Sequence, residues 1–438
     1  MKQTFVVIGV FLSLLFVSGC DGDAASGHAP VPSQDLHTIP MSPGAVDRWA
    51  EDLEYYRTEL PRRHIDLFHN LTEPEFNTEI DRLLNELPEL SEMQIEVALW
   101  RLTQRIGGGA EDGHTTVYNS SSRYTWAPLR FDIIENEVRI VGAHEGHEAL
   151  LGATVVAVGE NTIDDVVATL SKLTPYTENS QSAAFRISRL LGNLDALHAL
   201  GFVPSPVEFP ITVTDRTGSK QTLQLVVQSG ASVPARDEEF ERKFPDLGAS
   251  QAKFSERLWF QPIEGLQAAY VSFERYPSPP DMDRFAKQLA DHIDAANTRN
   301  LIIDFRENAG GNGFTGLRLA AGILNKDSID WRNGVYVLIG KTTYSAAMMN
   351  AVNYRQILNA KLVGEPTGGN PVGYQDADGF TLPNSGLFVS YSKRLFRLQD
   401  EPSVGVQPDV LVPVTWEDYR QGTDAALAWI VDDIRSRN

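Results

Sequence analysis

Residues 300–312, NLIIDFRENAGGN, decide how the C-terminal half of the chain folds. A short apolar strand, Leu301 to Phe305, ends there in a glycine-rich loop. Glycines allow successive backbone amides to point into one concavity, and such amides hold oxyanions. From residue 268 onward, strand patterns of this kind alternate with helical patterns, which predicts an α/β layer with mostly parallel strands. Catalytic loops of such layers gather at the carboxyl ends of the strands.

A second loop of this kind follows the predicted strand Val335 to Ile339 and leads to Ser345. The small residues and the apolar spacing that follow predict that Ser345 is the first residue of a helix. A serine in that position has its oxygen beside free amides and the positive end of the helix. Taken alone it is an ordinary N-cap. The hypothesis that it is a nucleophile therefore requires a base from elsewhere in the chain.

His114 is the candidate base among nine histidines. It lies in a loop after a glycine-rich helix stop, where a role in a hydrophobic core is disfavoured. His144 and His147 approach a zinc-binding pattern, but their spacing is one residue shorter than His-Glu-x-x-His, so no metal site is predicted. The glycines of residues 311–316 match a dinucleotide fingerprint, yet they follow the strand too late for that motif. The sequence therefore predicts no cofactor.

Length and composition set outer limits on the function. The 438 residues suggest roughly two to four domains. Hydrophobic residues make up 42% and charged residues 22%, which is typical of globular chains. The formal net charge of -20 disfavours nucleic acid as a partner, because phosphates would be repelled. A single cysteine excludes an internal disulfide framework and a zinc site built from cysteines.

Three amphipathic stripes with capping signals at Ser42, Thr72 and Ser91 predict a helical module near the N-terminus. A β-rich region with one inserted helix follows, and then a charged segment typical of a solvated linker. The predicted divisions are a signal peptide (1–19), a flexible tether (20–41), the helical module (42–108), the histidine loop and strands joining the core (109–138), a β domain (139–230), a linker (231–262) and the α/β core (263–438).

Five motifs resemble, in their order along the chain, those of the tail-specific (C-terminal processing) serine peptidase family, in particular its tricorn-like branch. They span nearly the whole mature chain and lie at residues 112–115, 306–311, 343–347, 364–367 and 405–409. The resemblance implies a multi-domain α+β fold with an N-terminal helical module, a PDZ-like β domain and a ClpP/crotonase-like α/β peptidase core. It also implies a serine-type endopeptidase or carboxyl-terminal processing peptidase that hydrolyses peptides or proteins without a cofactor.

The resemblance further implies roles for individual residues. Ser345 would be the nucleophile and His114 the base. An acid just before the closing motif would orient the base, and of the pair available there, Asp400 and Glu401, we favour Glu401. The oxyanion would be held by backbone amides of the loop and of the residue after the nucleophile. The oxyanion residues are Gly310, Gly311 and Ala346.

Two departures from the family pattern matter. Where the bacterial processing peptidases carry a lysine base, this chain has Gly368-Gly369-Asn370, so no Ser-Lys dyad is available there. Gly113 stands where the tricorn arrangement has a serine before its histidine, so one auxiliary hydroxyl is missing. The absent lysine leaves an alternative open, a catalytically weak or inactive peptide-binding lipoprotein on the same scaffold.

The first twenty residues resemble a bacterial lipoprotein signal. An apolar run of about 13 residues, shorter than the ~20 that span a bilayer, precedes a small-residue box that ends at Cys20. The resemblance implies that Cys20 becomes the lipid-bearing first residue of the mature chain. We therefore expect a protein of the cell envelope, anchored to a membrane by lipid and facing the periplasm or the exterior.

The lipid anchor can be tested by replacing Cys20 with Ser. We expect the Cys20→Ser variant to lose its lipid and to partition into the aqueous phase on detergent extraction, because no later segment of the sequence has the length and hydropathy of a membrane span. Phase partitioning followed by mass spectrometry of the N-terminus would measure this. Membrane retention of a variant whose signal has been cleaved would contradict it.

Overall fold

The computed structural model describes residues 41–108, 111–228, 230–242, 252–263 and 265–437. The predicted signal peptide, most of the tether and Cys20 lie outside these residues. Within the described ranges, no helix combines the length and the hydropathy needed to cross a membrane. The chain has a mixed α+β fold with N-terminal helices and several sheets.

Three helices form the N-terminal part, as the apolar stripes predict. Both capping boxes are formed, because the side chains of Thr72 and Ser91 accept from the amides of Glu75 and Gln94, whose side chains accept from the cap amides in return. Ser42 starts the first helix without a side-chain cap. The helices are α1 (Pro43–Arg63), α2 (Glu73–Glu86) and α3 (Glu92–Gly107).

The middle region contains a sheet with the order β2-β3-β4-β6-β7, in which β5 pairs with β4; we call it the middle sheet. The elements, in chain order, are β1 (Thr116–Tyr118), β2 (Leu129–Ile134), β3 (Glu137–Ala143), β4 (Thr154–Val158), β5 (Asn161–Thr162), α4 (Ile163–Leu170), α5 (Ser180–Leu190), α6 (Leu194–Ala199), β6 (Glu208–Thr214) and β7 (Lys220–Val226). Helix α5 packs against the edge strand β2.

Strand β2 belongs to the middle sheet, whereas the sequence pattern grouped it with the histidine loop. It pairs antiparallel with β3 through a two-residue turn, Glu135-Asn136, in which both residues have positive φ angles of 52° and 63°. Such turns match the twist of the flanking strands and are usually marked by glycine. The turn here has no glycine, so the hairpin was not evident from the sequence.

The C-terminal half is built on a seven-stranded sheet with the order β16-β13-β12-β11-β10-β9-β8, the core sheet. Its five strands from β16 to β10 run parallel, and β9 and β8 are antiparallel at one edge. The elements are β8 (Ala252–Ser255), β9 (Leu258–Ile263), β10 (Ala268–Phe273), α7 (Pro279–Ala296), β11 (Asn300–Asp304), α8 (Gly313–Ile323), β12 (Val335–Ile339), α9 (Ala346–Ile357), β13 (Lys361–Gly364), β14 (Val372–Thr381), β15 (Phe388–Arg397), β16 (Val410–Leu411), α10 (Trp416–Gln421) and α11 (Ala425–Arg437).

Strands β8 and β9 lie almost wholly in residues that the sequence pattern indicated as linker. The alternating strands and helices after residue 268 occur as expected. Helices cover both faces of the core sheet: Leu301 and Ile303 join the apolar cluster of α7, α8 and α9, whereas Ile302 joins the cluster of α11. Burial of both faces explains why the parallel strands are continuously apolar.

Strands β14 and β15 form a long hairpin that pairs with β1, and we call these three strands the hairpin sheet. The helical module docks on the hairpin turn, where the Asp52 carboxylate accepts from the amides of Asn384 at 2.8 Å and Ser385 at 2.7 Å. Strand β1 begins two residues after His114. The hairpin therefore brings the N-terminal histidine loop against the C-terminal core.

A buried ion cluster ties α11 to the core sheet. The Arg306 guanidinium contacts the carboxylates of Asp304 at 2.6 Å and Asp424 at 2.7 Å. Asp424 also caps α11 by accepting from the amide of Leu427. Burial by itself would raise the pKa of Asp304, but the charge and hydrogen bonds of Arg306 lower it to about 2.

We expect Arg306→Leu to destabilise the fold by about 3–5 kcal/mol, because it leaves two buried carboxylates without their cation. Urea denaturation at neutral pH would measure the change. Arg318→Leu is the matched control, since Arg318 pairs with Asp283 at the surface and such pairs contribute about 0–1 kcal/mol. Equal losses in the two variants would show that the Arg306 cluster does not hold α11 in place.

Candidate active site

Ser345 lies at a sharp turn between β12 and α9. Its backbone angles, φ 52° and ψ −122°, are strained for a residue with a side chain. It occupies the N-cap position of α9, yet its hydroxyl makes no capping hydrogen bond. The turn is held from both sides, because the amide of Tyr344 donates to the carbonyl of Asn308 and the Thr343 hydroxyl donates to that of Phe305. The serine oxygen is thus rigidly presented and free to bond elsewhere.

His114 lies against this serine, although 231 positions separate them in the sequence. The distance between His114 Nε2 and Ser345 Oγ is 2.9 Å. The imidazole is buried, with 4% of the residue exposed. This is the geometry in which a histidine accepts a serine proton. The structure therefore brings together the two residues that the sequence analysis singled out as nucleophile and base.

The carboxylate beside His114 belongs to Glu178, which follows α4 in the middle region. Glu178 Oε1 lies 3.1 Å from His114 Nδ1, and both side chains are nearly inaccessible to solvent. This distance is that of an ion pair. The N–H direction at Nδ1 does not point at the oxygen, however, and among the described residues Nδ1 makes no hydrogen bond. The pair is therefore close enough for a strong electrostatic interaction without an aligned hydrogen bond.

The structure does not place Glu401 or Asp400 at this position. Both residues are exposed in a turn after β15, where the backbone oxygen of Glu401 accepts from the side chain of Gln399. Sequence reasoning missed Glu178 because it belongs to none of the five motifs and lies more than sixty residues from His114. The position of Glu178 just before the N-cap residue Asn179 carries no pattern that marks it as catalytic, and its burial is visible only in the folded chain.

Asn370 fixes Glu178 from the segment where the family's processing branch carries its lysine. The amide of Asn370 donates to Glu178 Oε2 at 2.7 Å, and its side chain donates to the carbonyl of Glu178 at 2.8 Å. Asn370 also accepts from the side chain of Asn179, so the carboxylate and the backbone carbonyl of Glu178 and the side chain of its neighbour are all tied to one loop. The residues at 368–370 thus support a carboxylate and supply no cation.

Two lysines that could have replaced the missing base are engaged elsewhere. Lys341 Nζ lies 2.5 Å from an oxygen of Asp132, in the middle sheet. Lys361 Nζ lies 3.3 Å from Asp433, on α11. Each ammonium group is paired with a carboxylate away from Ser345. The geometry therefore favours histidine over lysine as the partner of the serine.

The glycine loop after β11 approaches Ser345 closely. Gly310 and Gly311 have φ angles of 114° and 148°. A Cβ atom on Gly310 would lie 2.8 Å from the Cβ of Ser345, so the loop approaches the serine as closely as glycine permits. The Gly310 amide donates to Asn308 Oδ1. Among the described residues, no hydrogen bond occupies the amides of Gly311 and Ala346, which leaves these two of the three predicted donors open.

The other glycines of this segment have a packing explanation. A Cβ on Gly313 would overlap Met349, and a Cβ on Gly316 would overlap Asn350. Both neighbours lie on α9, so the glycines allow α8 and α9 to approach each other closely. The resemblance of residues 311–316 to a dinucleotide fingerprint is thus accounted for by helix packing.

A second carboxylate, that of Asp112, organises the backbone of the histidine loop. It accepts from the amides of His114 and Thr115, and from the hydroxyl of Ser392 on β15. His64, at the end of α1, contacts its other oxygen at 2.7 Å. Burial by itself would raise the pKa of Asp112, but these hydrogen bonds, that of His64 foremost, lower it. Asp112 is therefore an ionised anchor beneath His114.

Part of the chain matches a known peptidase family. Residues 318–412 match the model of peptidase family S41. This S41 segment contains Ser345 and Asn370. No curated protein matches the chain.

Two CPAF structures share the fold. Mature CPAF gives a TM-score of 0.61 at 12% identity, over 90% of this chain and 97% of CPAF. Mature CPAF complexed with lactacystin gives 0.57 at 12% identity, over 89% and 98%. The photosystem II D1 C-terminal processing protease gives 0.40 at 16% identity, over 86% and 98%. The CPAF likeness shows that the S41 segment here sits within a CPAF-like fold.

The identity of the carboxylate can be tested with two matched variants. We expect Glu178→Gln to slow reaction of Ser345 with a fluorophosphonate probe by about 10²–10⁴-fold, because an amide cannot stabilise the imidazolium that forms. Glu401→Gln should react at nearly the parental rate, since Glu401 is exposed and away from His114. Labelling rates at one pH would measure both effects. A larger loss in Glu401→Gln would instead support the residue favoured from the sequence.

Proposed function

We propose that the chain is a serine-type peptidase in which Ser345 is the nucleophile, His114 the general base and Glu178 the acid that orients it. The observation that carries the proposal is the 2.9 Å contact between Ser345 and His114, formed across 231 residues at a strained turn. The S41 match of the surrounding segment supports the same class of reaction.

The reaction follows the usual order of acyl transfer. As Ser345 Oγ attacks the carbonyl carbon of the scissile peptide bond, its proton passes to Nε2 of His114. The imidazolium then gives this proton to the leaving amine, which departs with the C–N bond electrons. Water next attacks the acyl-enzyme with His114 again as base, and the product acid leaves as Ser345 regains its proton. Proton transfer of this kind contributes about 10²–10⁴-fold to the rate.

Two further groups stabilise the charges that appear during these steps. The Glu178 carboxylate faces Nδ1 and balances the positive imidazolium. The open amides of Gly311 and Ala346 would donate to the oxyanion, each worth about 10²–10³-fold in rate. The amide of Gly310 is already bound to Asn308, so this glycine would act only by allowing the loop to approach Ser345 closely. The proposal thus keeps two of the three donors expected from the sequence.

Peptides or proteins are the substrates that this chemistry implies. The assignment to the tricorn-like branch is part of this proposal, and it is supported by the pairing of Lys341 and Lys361 with carboxylates, which leaves histidine as the base. The PDZ-like character of the middle sheet and the ClpP-like character of the core sheet remain part of this proposal. The lipid anchor at Cys20 and a location in the cell envelope remain predictions, since these residues lie outside the described ranges.

Labelling with a fluorophosphonate probe tests the proposal directly, because it reports an activated serine. We expect the parent chain to be labelled and to cleave fluorescein-labelled casein, faster at higher pH because the reaction needs a deprotonated base. Ser345→Ala should abolish both signals. Its melting temperature should stay within a few degrees, because alanine occupies the same backbone conformation without new contacts.

Histidine variants provide the control. His114→Ala should lower labelling by about 10²–10⁴-fold, whereas His144→Ala, which changes a histidine of the middle region, should leave it unchanged. Parental rates in Ser345→Ala would refute the assignment. A parent chain that binds peptides tightly but is neither labelled nor active would favour the alternative, a peptide-binding lipoprotein.

A further inference from the structure

Tyr344, the residue before the nucleophile, touches both of the other members of the proposed triad. Its hydroxyl donates to Glu178 Oε1 at 2.6 Å, the same oxygen that faces His114. Its ring stacks on the imidazole of His114, with the centroids 5.1 Å apart and the planes 17° apart. Tyr344 is buried, with 3% of the residue exposed. Its side chain therefore contacts both the base and the acid, and its backbone is directly linked to the nucleophile.

The phenol keeps its proton throughout the working range. Burial, and then the negative charge of Glu178, raise the pKa of Tyr344 well above that of an exposed tyrosine. The other charged groups that act on it are Arg186, whose guanidinium lies 5.5 Å from the ring centroid, and Asp112. A neutral O–H held in this way is a fixed donor. It competes with His114 for one lone pair and limits the rotation of the carboxylate.

Gly113 leaves the space that the Tyr344 hydroxyl occupies. A Cβ atom on Gly113 would lie 2.6 Å from Cγ of Glu178 and would overlap Oη of Tyr344. Gly113 has an ordinary backbone conformation, so steric space rather than backbone freedom requires glycine here. A side chain at 113 and a hydroxyl on residue 344 thus exclude each other.

We propose that Tyr344 is a positioning residue of the active site. It fixes Glu178 by a hydrogen bond and fixes the plane of His114 by stacking. This inference rests on the proposed peptidase function.

The first experiment removes the hydroxyl and keeps the ring. We expect Tyr344→Phe to be labelled by the fluorophosphonate probe about tenfold more slowly, the effect of losing one charge-assisted hydrogen bond. The midpoint of the rising limb in the pH profile of the labelling rate should also move. The lost donor acts on the carboxylate that faces His114, so the charge beside the base changes. A merely structural role would change the rate or the melting temperature without moving this midpoint.

Tyr354→Phe is the matched control. Tyr354 is a buried tyrosine of α9 whose hydroxyl donates to the carbonyl of Gly316, away from the triad. The Tyr354→Phe variant should lose some thermal stability, while its labelling rate and the pH midpoint of that rate stay at parental values. If both variants lower the rate equally and neither moves the midpoint, Tyr344 only packs the core and the inference is wrong.

The second experiment crowds the same contact from the other side. Gly113→Ser should slow labelling, because its Cβ collides with the Tyr344 hydroxyl and with Cγ of Glu178. Parental labelling of Gly113→Ser would show that the contact between Tyr344 and Glu178 can be displaced without loss, and would overturn the inference.

The two proposals fail in different ways. If the parent chain is not labelled, or if Ser345→Ala is labelled as well, the peptidase function is wrong. If the parent is labelled and Ser345→Ala is not, but Tyr344→Phe keeps the parental rate and midpoint, only the role of Tyr344 is wrong. Melting curves of each variant separate loss of positioning from loss of folding.

Discussion

The buried Asp112 carboxylate joins three parts of the chain that are far apart in sequence. His64 comes from the helical module, the amides of His114 and Thr115 from the histidine loop, and the Ser392 hydroxyl from the hairpin sheet. A charged group in such surroundings is tolerated only when its lone pairs are satisfied. Each partner is therefore constrained by the others, and the loop that carries His114 has little freedom.

This anchor explains why the active site needs more than the core sheet. The core sheet alone supplies Ser345 and the glycine loop, both at the carboxyl ends of neighbouring parallel strands. The histidine and the carboxylate arrive from outside it. His114 is brought by the hairpin sheet, which the helical module braces through Asp52, and Glu178 is brought by the start of α5. The geometry of the candidate site therefore depends on how the hairpin sheet and the middle region pack against the core sheet.

The sequence reveals a functional residue when that residue also stands in a recognisable local structural pattern. Ser345 follows a strand and opens a helix, and His114 sits in a loop of short polar and glycine residues, so both carried a readable local pattern. Glu178 carried none, because its role depends on how the middle region packs on residues 368–370. The sequence could not show which of the two glycine amides is open. Only the folded loop shows that the Gly310 amide is already bound to Asn308. Strand β2 was misgrouped for a similar reason, because its turn lacks glycine.

The hairpin sheet also determines at what stage of synthesis the candidate site can form. The residues that meet at Ser345 are spread from 114 to 370, and the strand that seats the histidine loop ends at Arg397. During synthesis the N-terminal segments emerge first, and the histidine loop gains its support only when β15 has followed. A chain cut short before β15 would carry every member of the proposed triad and still lack the strand against which the histidine loop packs.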